Sequence, residues 1–388
     1  MRSAELLVIG AGPYGLAVSA HAERHGMDTV TLGSPMGFWR ANMPADMLLR
    51  SGPDWHLDVA REHTFEAYLQ DRGITAAEVD PIPVGVYLDY ADWFTAQKRL
   101  QVDDLRVERL QRVDGRFEAT LAGGDRITAD AVVAAPGIAR FTLLPPWAAE
   151  VPPDRRAHTC DLIAFDRLAG ARCLIVGGRQ SAYEWAALLC DHGVERVDVV
   201  HRQDVPRFAR ADWTFVDPYI DDTLRSRGWW RALPHAEREA IARRFWEVGR
   251  LTLEPWITPR LDGRAHPRPR TEVTQVRERG EELEVSLSDG DRLTVDFVVF
   301  ATGYRADLAA VPYLGDLLGD VVVTDGFPVL DESFGTTAPG LYVTGFSATR
   351  DFGPFFGFVR GAVPAATLIV EDLLARPRPA AAAVGVRA

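Results

Sequence analysis

Two short glycine-rich stretches are the residues of this sequence best suited to holding a ligand. Gly10-Ala-Gly12-Pro13-Tyr-Gly15 directly follows the apolar run Leu6–Ile9 and precedes a small-residue helix predicted over Leu16–His25. That order is what a pyrophosphate site needs. Gly10 makes the tight turn, Gly12 lets a phosphate approach the backbone, and Gly15 lets the helix pack on the strand. The first amides of the helix then face the anion. The second stretch, Gly177-Gly178-Arg179-Gln180-Ser181-Ala182, lies between the strand Cys173–Val176 and another helix, with Ala182 as the permitted small replacement for the third glycine.

A dinucleotide site also needs a group after the next strand to hold the ribose, usually a carboxylate. After Thr29–Leu32 the chain gives Gly33-Ser34, which leaves Ser34 or backbone groups for that task. After Val197–Val200 it gives His201-Arg202. A guanidinium grips a 2′-phosphate with two hydrogen bonds where a carboxylate would repel it, so the second site is expected to take NADPH rather than NADH. The plainer reading of Arg202 is a solvated surface charge.

The elements that must position these loops occur twice. Leu105–Gly124 and Glu272–Gly290 each read as alternating strands with Gly-containing turns, and each continues into a buried strand closed by small residues. The first copy closes at Ala135-Pro136-Gly137 and the second at Ala301-Thr302-Gly303-Tyr304, which read as crossovers where two domains meet near their ligands. Residues 204–269, rich in Trp, Arg and Pro, stand outside the duplication, with a helix predicted around Ala236–Val248. They are expected to shape a substrate site.

The chain of 388 residues has 47% hydrophobic and 25% charged residues, enough for two domains with real cores. A net charge of −12 argues against nucleic acid, which needs a basic face, and favours small-molecule partners. No apolar run approaches membrane-spanning length, and Leu6–Ile9 is too short for a secretory signal. Cys160, Cys173 and Cys190 form no Cys-x-x-Cys pair, so neither a redox dithiol nor a disulfide framework is expected. A cytoplasmic location fits, no metal is expected, and the oligomeric state is open.

Together these motifs resemble the two-dinucleotide flavoproteins. Within them they are similar to the single-component (class B) FAD and NADPH monooxygenases, a group that includes flavin-containing monooxygenases, Baeyer–Villiger monooxygenases and lysine or ornithine N-hydroxylases. Gly177–Glu184 is similar to the N-hydroxylases, and Ala301–Tyr304 is typical of the wider group. Phe38-Trp39-Arg40-Ala-Asn42-Met43-Pro44 resembles the stretch along the flavin in Baeyer–Villiger enzymes, and Pro339–Gly345 resembles the terminal FAD-binding strand. The monooxygenase fingerprint around His158 is only partly kept, with Asp154 at its glycine position and Leu162 at its aromatic one.

The resemblance implies an α/β fold of two Rossmann-like domains, the NADPH domain inserted in the FAD domain. The expected division is 1–150 and 296–375 for FAD, 165–295 for NADPH with 204–269 as a helical insertion, and 376–388 as a flexible tail. It implies NADPH reducing FAD, and reduced flavin adding O2 at its C4a carbon to give a (hydro)peroxide that oxygenates a small organic molecule by Baeyer–Villiger insertion, hydroxylation or N-oxidation. An NAD(P)H-dependent flavin reductase or oxidase, or a non-catalytic nucleotide sensor, is the alternative.

Cofactor-binding candidates are Gly10, Gly12, Pro13, Gly15, Ser34, Trp39, Arg40, Gly177, Gly178, Gln180, Ser181, Arg202, Ala301, Thr302, Gly303 and Gly345. Arg40, Asn42 and Asp212 are the catalytic candidates. Trp213, Phe352, Phe355 and Phe356 are the substrate-facing ones, with Arg50 a further residue of the pocket wall.

Overall fold

The computed structural model describes residues 2–261 and 263–376. The tail expected over 376–388 lies, beyond Arg376, outside the described residues. The chain builds two main sheets, each with a glycine-rich loop at the end of a central strand.

In the first sheet, β1 (Arg2–Ile9) pairs in parallel with β2 (Thr29–Leu32), and α1 (Pro13–Arg24) crosses between them. A meander of β3 (Val107–Val113) and β4 (Arg116–Leu121) then delivers β5 (Arg126–Ala134) to the other side of β1. Leu6, Leu7 and Val8 are fully buried in the main core of the first unit, with both faces of the strand covered, which is why it reads as a continuous apolar run rather than an alternating one.

The second sheet is wholly parallel. Its centre is β6 (Arg172–Val176), joined through α2 (Gln180–Asp191) to β7 (Arg196–Val200), with β8 (Ala265–Arg268) at the edge beyond β7. The second meander, β9 (Val273–Arg279), β10 (Glu282–Leu287) and β11 (Arg292–Val295), forms a separate three-stranded sheet. The chain then enters β12 (Phe297–Phe300), which pairs with β6 on one side and with the short strand Arg156–His158 on the other.

These pairings move three of the expected boundaries. A division at 295/296 falls before β12, yet β12 hydrogen-bonds to β6 and so belongs to the second unit. A start at 165 omits Arg156–His158, which pairs in parallel with β12. The insertion expected to run to 269 stops before β8, whose backbone completes the sheet edge. Its helix, α3, spans His235–Phe245 and gives way to a π-turn over Trp246–Arg250.

After β12 the chain returns to the first unit. There β13 (Leu341–Val343) pairs in parallel with the second half of β5, and α4 (Ala362–Ala375) packs on α1. The two linkers between the units are tied to each other by a bridge between Thr142 and Tyr304, with Arg305 N–H donating to Phe141 O and Leu143 N–H to Gly303 O. Among the described residues no helix is long and apolar enough to cross a membrane.

Candidate active site

The two glycine loops are built alike. Gly10 has φ +113°, and a Cβ there would sit 2.2 Å from Ala135 O. Gly177 has φ +138°, and a Cβ there would sit 2.4 Å from Ala301 O. Only glycine fits either turn, sterically and conformationally. In both units the small residue that closes the meander strand is thus what the first loop glycine packs against. A Cβ on Gly15 would lie 1.7 Å from Gly10 O, so that position brings α1 onto the loop.

Gly12 differs, because nothing stands within 4 Å of where its side chain would be. The open space faces a cleft. Neither α1 nor α2 has a side-chain cap or an acidic residue in its first turn, so their leading amides and positive dipole ends are left to a ligand.

That cleft, about 570 Å³, runs between the two loops. Gly10, Gly12, Pro13, Gly15 and Ser34 line one end and Gln180 and Ser181 the other; Trp39, Trp213 and Gly345 also reach it. Trp39 is stacked on Tyr87 with ring centroids 5.2 Å apart. Met43, Met47, Phe346 and Phe358 make the rest of the wall apolar. Tyr14, also on the wall, donates its hydroxyl to Phe358 O at 2.8 Å and so holds the aromatic loop across the cleft. Thr344 lines it too, and its Oγ1 is buried with no hydrogen-bond partner. A buried polar atom left unpaired costs about 1–3 kcal/mol, which a bound polar group would recover. Open backbone at Gly12, uncapped helix ends, an orphaned hydroxyl and an apolar wall together fit a flavin dinucleotide.

The far end of the cleft is cationic. Arg179 and Arg250 line it, and Arg179 lies over the Trp246 ring at 3.8 Å. Burial, then repulsion from Arg202, lowers the Arg179 pKa. Arg202 is exposed just beyond β7, so it and Arg179 form a like-charged pair that an anion would relieve. Arg250 projects from the π-turn, and burial, followed by Arg179 and Arg50, pushes its pKa down to about 10. Residue types at this end fit a phosphorylated nicotinamide dinucleotide.

Arg50 ties the units together across the cleft wall. Its Nε donates to Glu254 Oε1 at 2.8 Å and its Nη1 to Gly249 O at 2.6 Å. Glu254 in turn receives Ala211 N–H on the same oxygen, while its own N–H donates to Gln180 Oε1 at 3.1 Å. Arg179, Arg250 and Glu254 were not among the candidates read from sequence. Arg179 had a signal, since it sits inside the second loop; Arg250 and Glu254 come from a stretch without periodicity.

Several candidates do not reach the cleft. Arg40 turns to the solvent side of the short helix Gly37–Asn42, where its Nη2 holds both Asp92 oxygens at 2.7 Å. Asn42 donates to Cys160 O at 2.9 Å and serves as a contact between the units. Asp212 is exposed and accepts from the Thr214 N–H and hydroxyl, bonds that lower its pKa while it closes a turn. Phe352, Phe355 and Phe356 are buried in the core behind the cleft, Phe352 stacked on Phe334 at 3.6 Å, so Phe358 takes the wall position expected of them.

Gly178 packs under the His201 ring, 2.4 Å from where its Cβ would be, and with Gly177 shapes the second loop without lining the cleft. Ala301, Thr302 and Gly303 form the linker: Thr302 Oγ1 bonds Leu143 O, and Gly303 O meets His158 Nε2 at 3.2 Å. They join the two units and do not line the cleft.

Residues 7–242 match the model of the pyridine nucleotide-disulphide oxidoreductase family, and residues 266–355 match a second model of the same description. An FAD-dependent urate hydroxylase from Xanthomonas campestris is 35% identical over 138 residues, which are 33% of this chain and 29% of that protein. A ferredoxin–NADP reductase from Salinispora arenicola is 28% identical over 355 residues, covering 89% of this chain and 86% of the reductase. Among solved structures, an ornithine N-hydroxylase from Kutzneria sp. 744 superposes with a TM-score of 0.79 at 16% identity, covering 96% of this chain and 99% of the other. The two-dinucleotide fold is therefore shared across both monooxygenases and reductases.

Proposed function

The chain belongs to the pyridine nucleotide-disulphide oxidoreductase family, and from that premise we propose that it is an FAD- and NADPH-dependent monooxygenase acting with O2 on a small organic molecule. One observation carries this reading: the two dinucleotide loops converge on a single cleft whose remaining wall is apolar and aromatic. Reduction of a disulfide would need a thiol there. Cys160, Cys173 and Cys190 are all buried, and none lines the cleft.

When bound, FAD supplies the two-electron and oxygen chemistry, reduced by NADPH. The protein's residues do the rest. Gly12 and the α1 amides would hold the flavin pyrophosphate and Arg179 and Arg202 the 2′-phosphate of NADPH, with Gln180 and Ser181 on the cleft lining at the second loop. Trp39, Met43, Phe346 and Phe358 exclude water, which protects reactive species from wasteful breakdown. The stretch similar to Baeyer–Villiger enzymes contributes Phe38, Trp39 and Met43 to the wall but not Arg40 or Asn42, which are held elsewhere. Hydroxylation or N-oxidation is therefore the favoured chemistry. Three cysteines with no Cys-x-x-Cys pair among them support a reducing compartment such as the cytoplasm.

A second reading, an NADPH-dependent flavoprotein reductase, is favoured by the likeness to a ferredoxin–NADP reductase over most of the chain. The separating experiment reduces FAD-loaded protein with NADPH without oxygen, then mixes it with O2. A delayed return of the oxidised-flavin spectrum, with labelled O2 entering an organic product, is the expected result. Immediate return, together with rapid ferredoxin reduction, would favour the reductase.

A further inference from the structure

A second cavity of about 400 Å³ lies beside the cleft, sharing Arg50, Trp55 and Trp213 with its wall. Its chemistry is opposite to that of the cleft's cationic end. Three indoles line it, Trp55, Trp213 and Trp256, together with Asp54, Asp212 and Glu254. Asp80 and Asp217 complete a set of five carboxylates, against which only Arg50 and Arg210 stand on the lining. Arg210 is committed to Asp80 at 2.7 Å and Arg50 to Glu254 Oε1 at 2.8 Å. Arg360, outside the lining, holds Asp217 at 2.5 Å and stands 3.8 Å from Asp54, so against the five carboxylates three guanidiniums still leave the site negative, with Asp212 bonded to no guanidinium among the described residues.

Glu254 gives an independent sign of a ligand. Its side chain is only 2% exposed, and its second oxygen, Oε2, is buried with no hydrogen-bond partner. A carboxylate oxygen removed from water and left unpaired is costly unless a cation or donor meets it. The aromatic wall fits such a cation as well, because the ring face attracts positive charge. Trp213 already attracts one cation, the Arg50 guanidinium, which lies 5.5 Å from its ring centroid. Indoles with carboxylates favour an organic cation over an inorganic one, whose tightly held water would have to be replaced by oxygen ligands that indoles do not offer.

We propose that this side cavity binds a small organic monocation, an alkylammonium or guanidinium compound, between its indoles and the Glu254 carboxylate. Whether such a molecule is also the one oxygenated rests on the monooxygenase reading, but the binding does not.

The test uses FAD-loaded protein titrated with choline, followed by tryptophan fluorescence and calorimetry, beside dimethylbutanol, the neutral carbon isostere of choline. Saturable choline binding at least about tenfold tighter than that of the isostere is expected. Glu254→Gln should weaken choline by about tenfold and leave the isostere unchanged. Because Glu254 is buried and paired, the exposed double change Asp54→Asn with Asp212→Asn provides a second readout, expected to weaken choline by a few-fold in low salt. Equal affinity for the isostere, competition by potassium as strong as by choline, no saturable binding, or indifference to both variants would each overturn the proposal. Choline binding in a protein that transfers no oxygen to any product would leave this site standing and remove the monooxygenase reading instead.

Discussion

Replacing Gly12 by alanine separates ligand binding from folding at a single atom. Gly12 has φ −81° and ψ −171°, which alanine adopts without strain, and its Cβ would touch nothing in the protein. Alanine is a poorer helix cap than glycine by about 0.5–1 kcal/mol, while the lower entropy of the unfolded chain returns about 0.4–1 kcal/mol. The apoprotein should therefore keep its stability within about 1 kcal/mol. The new methyl stands where the pyrophosphate must approach, and one displaced charge-assisted hydrogen bond is worth about 1.5–3 kcal/mol. FAD should thus bind about 10- to 100-fold more weakly. The neighbouring change Gly15→Ala supplies the contrast, since its Cβ would lie 1.7 Å from Gly10 O and the backbone has to move. That variant should lose about 3 kcal/mol or more. Urea unfolding of the apoproteins and FAD titration by flavin absorbance measure both quantities. A Gly12→Ala protein that unfolds as readily as Gly15→Ala, or that holds FAD as tightly as the parent, would refute the argument that this glycine is kept open for the ligand.

Other consequences follow from the same geometry. Arg50→Met leaves the buried Glu254 carboxylate uncompensated and should cost about 3–5 kcal/mol in urea unfolding, with much of the loss recovered when Glu254→Leu is added; an Arg50→Met protein within about 1 kcal/mol of the parent would contradict this. His56 is buried, its Nδ1 accepts Asp58 N–H at 3.2 Å, and burial, with Arg61 next, pulls its pKa down to about 4. A histidine with a lowered folded pKa gives stability that is whole above its unfolded value of about 6.5 and fades as pH falls towards 4, here by about 3 kcal/mol. His56→Gln should flatten the pH dependence of unfolding across that window. Arg202→Ala should reduce the preference for NADPH over NADH by about tenfold or more, read as the ratio of anaerobic flavin reduction rates with each. An unchanged ratio would return Arg202 to the status of a surface charge.

The backbone features of this protein were legible in its sequence because they rest on local necessity. Gly10 and Gly177 need positive φ, and Ala135 and Ala301 must be small to meet them, so the motif and its partner are both written in residue type. The side chains of the site were less legible. Arg40 and Asn42 sit in a six-residue helix whose rotation decides whether they face the flavin or the solvent, and Asp92 and Cys160, far away in sequence, decide that rotation. Phe352, Phe355 and Phe356 are indistinguishable by type from Phe358, and only the turn at Gly357 separates core from cleft wall. Arg250 owes its place to a π-turn, one extra residue per turn that periodicity does not register. The boundary at 295/296 failed for a related reason: the second meander peels away as its own sheet at Val295, whereas the first runs without a break into β5.

The pairing of β13 with β5 has a consequence for how the chain comes off the ribosome. The second half of β5 has β1 on one flank at once but receives β13 on the other only after some 200 further residues have been made, and closing a flexible loop of that length costs about 5 kcal/mol in chain entropy. The inserted unit sits inside that loop. Once folded, it brings its own ends together where Thr142 meets Tyr304, and the loop that remains to be closed shrinks to the few dozen residues between Tyr304 and Leu341. Assembly then has a natural order: the inserted unit folds during synthesis, and the first unit, begun earlier, is finished last.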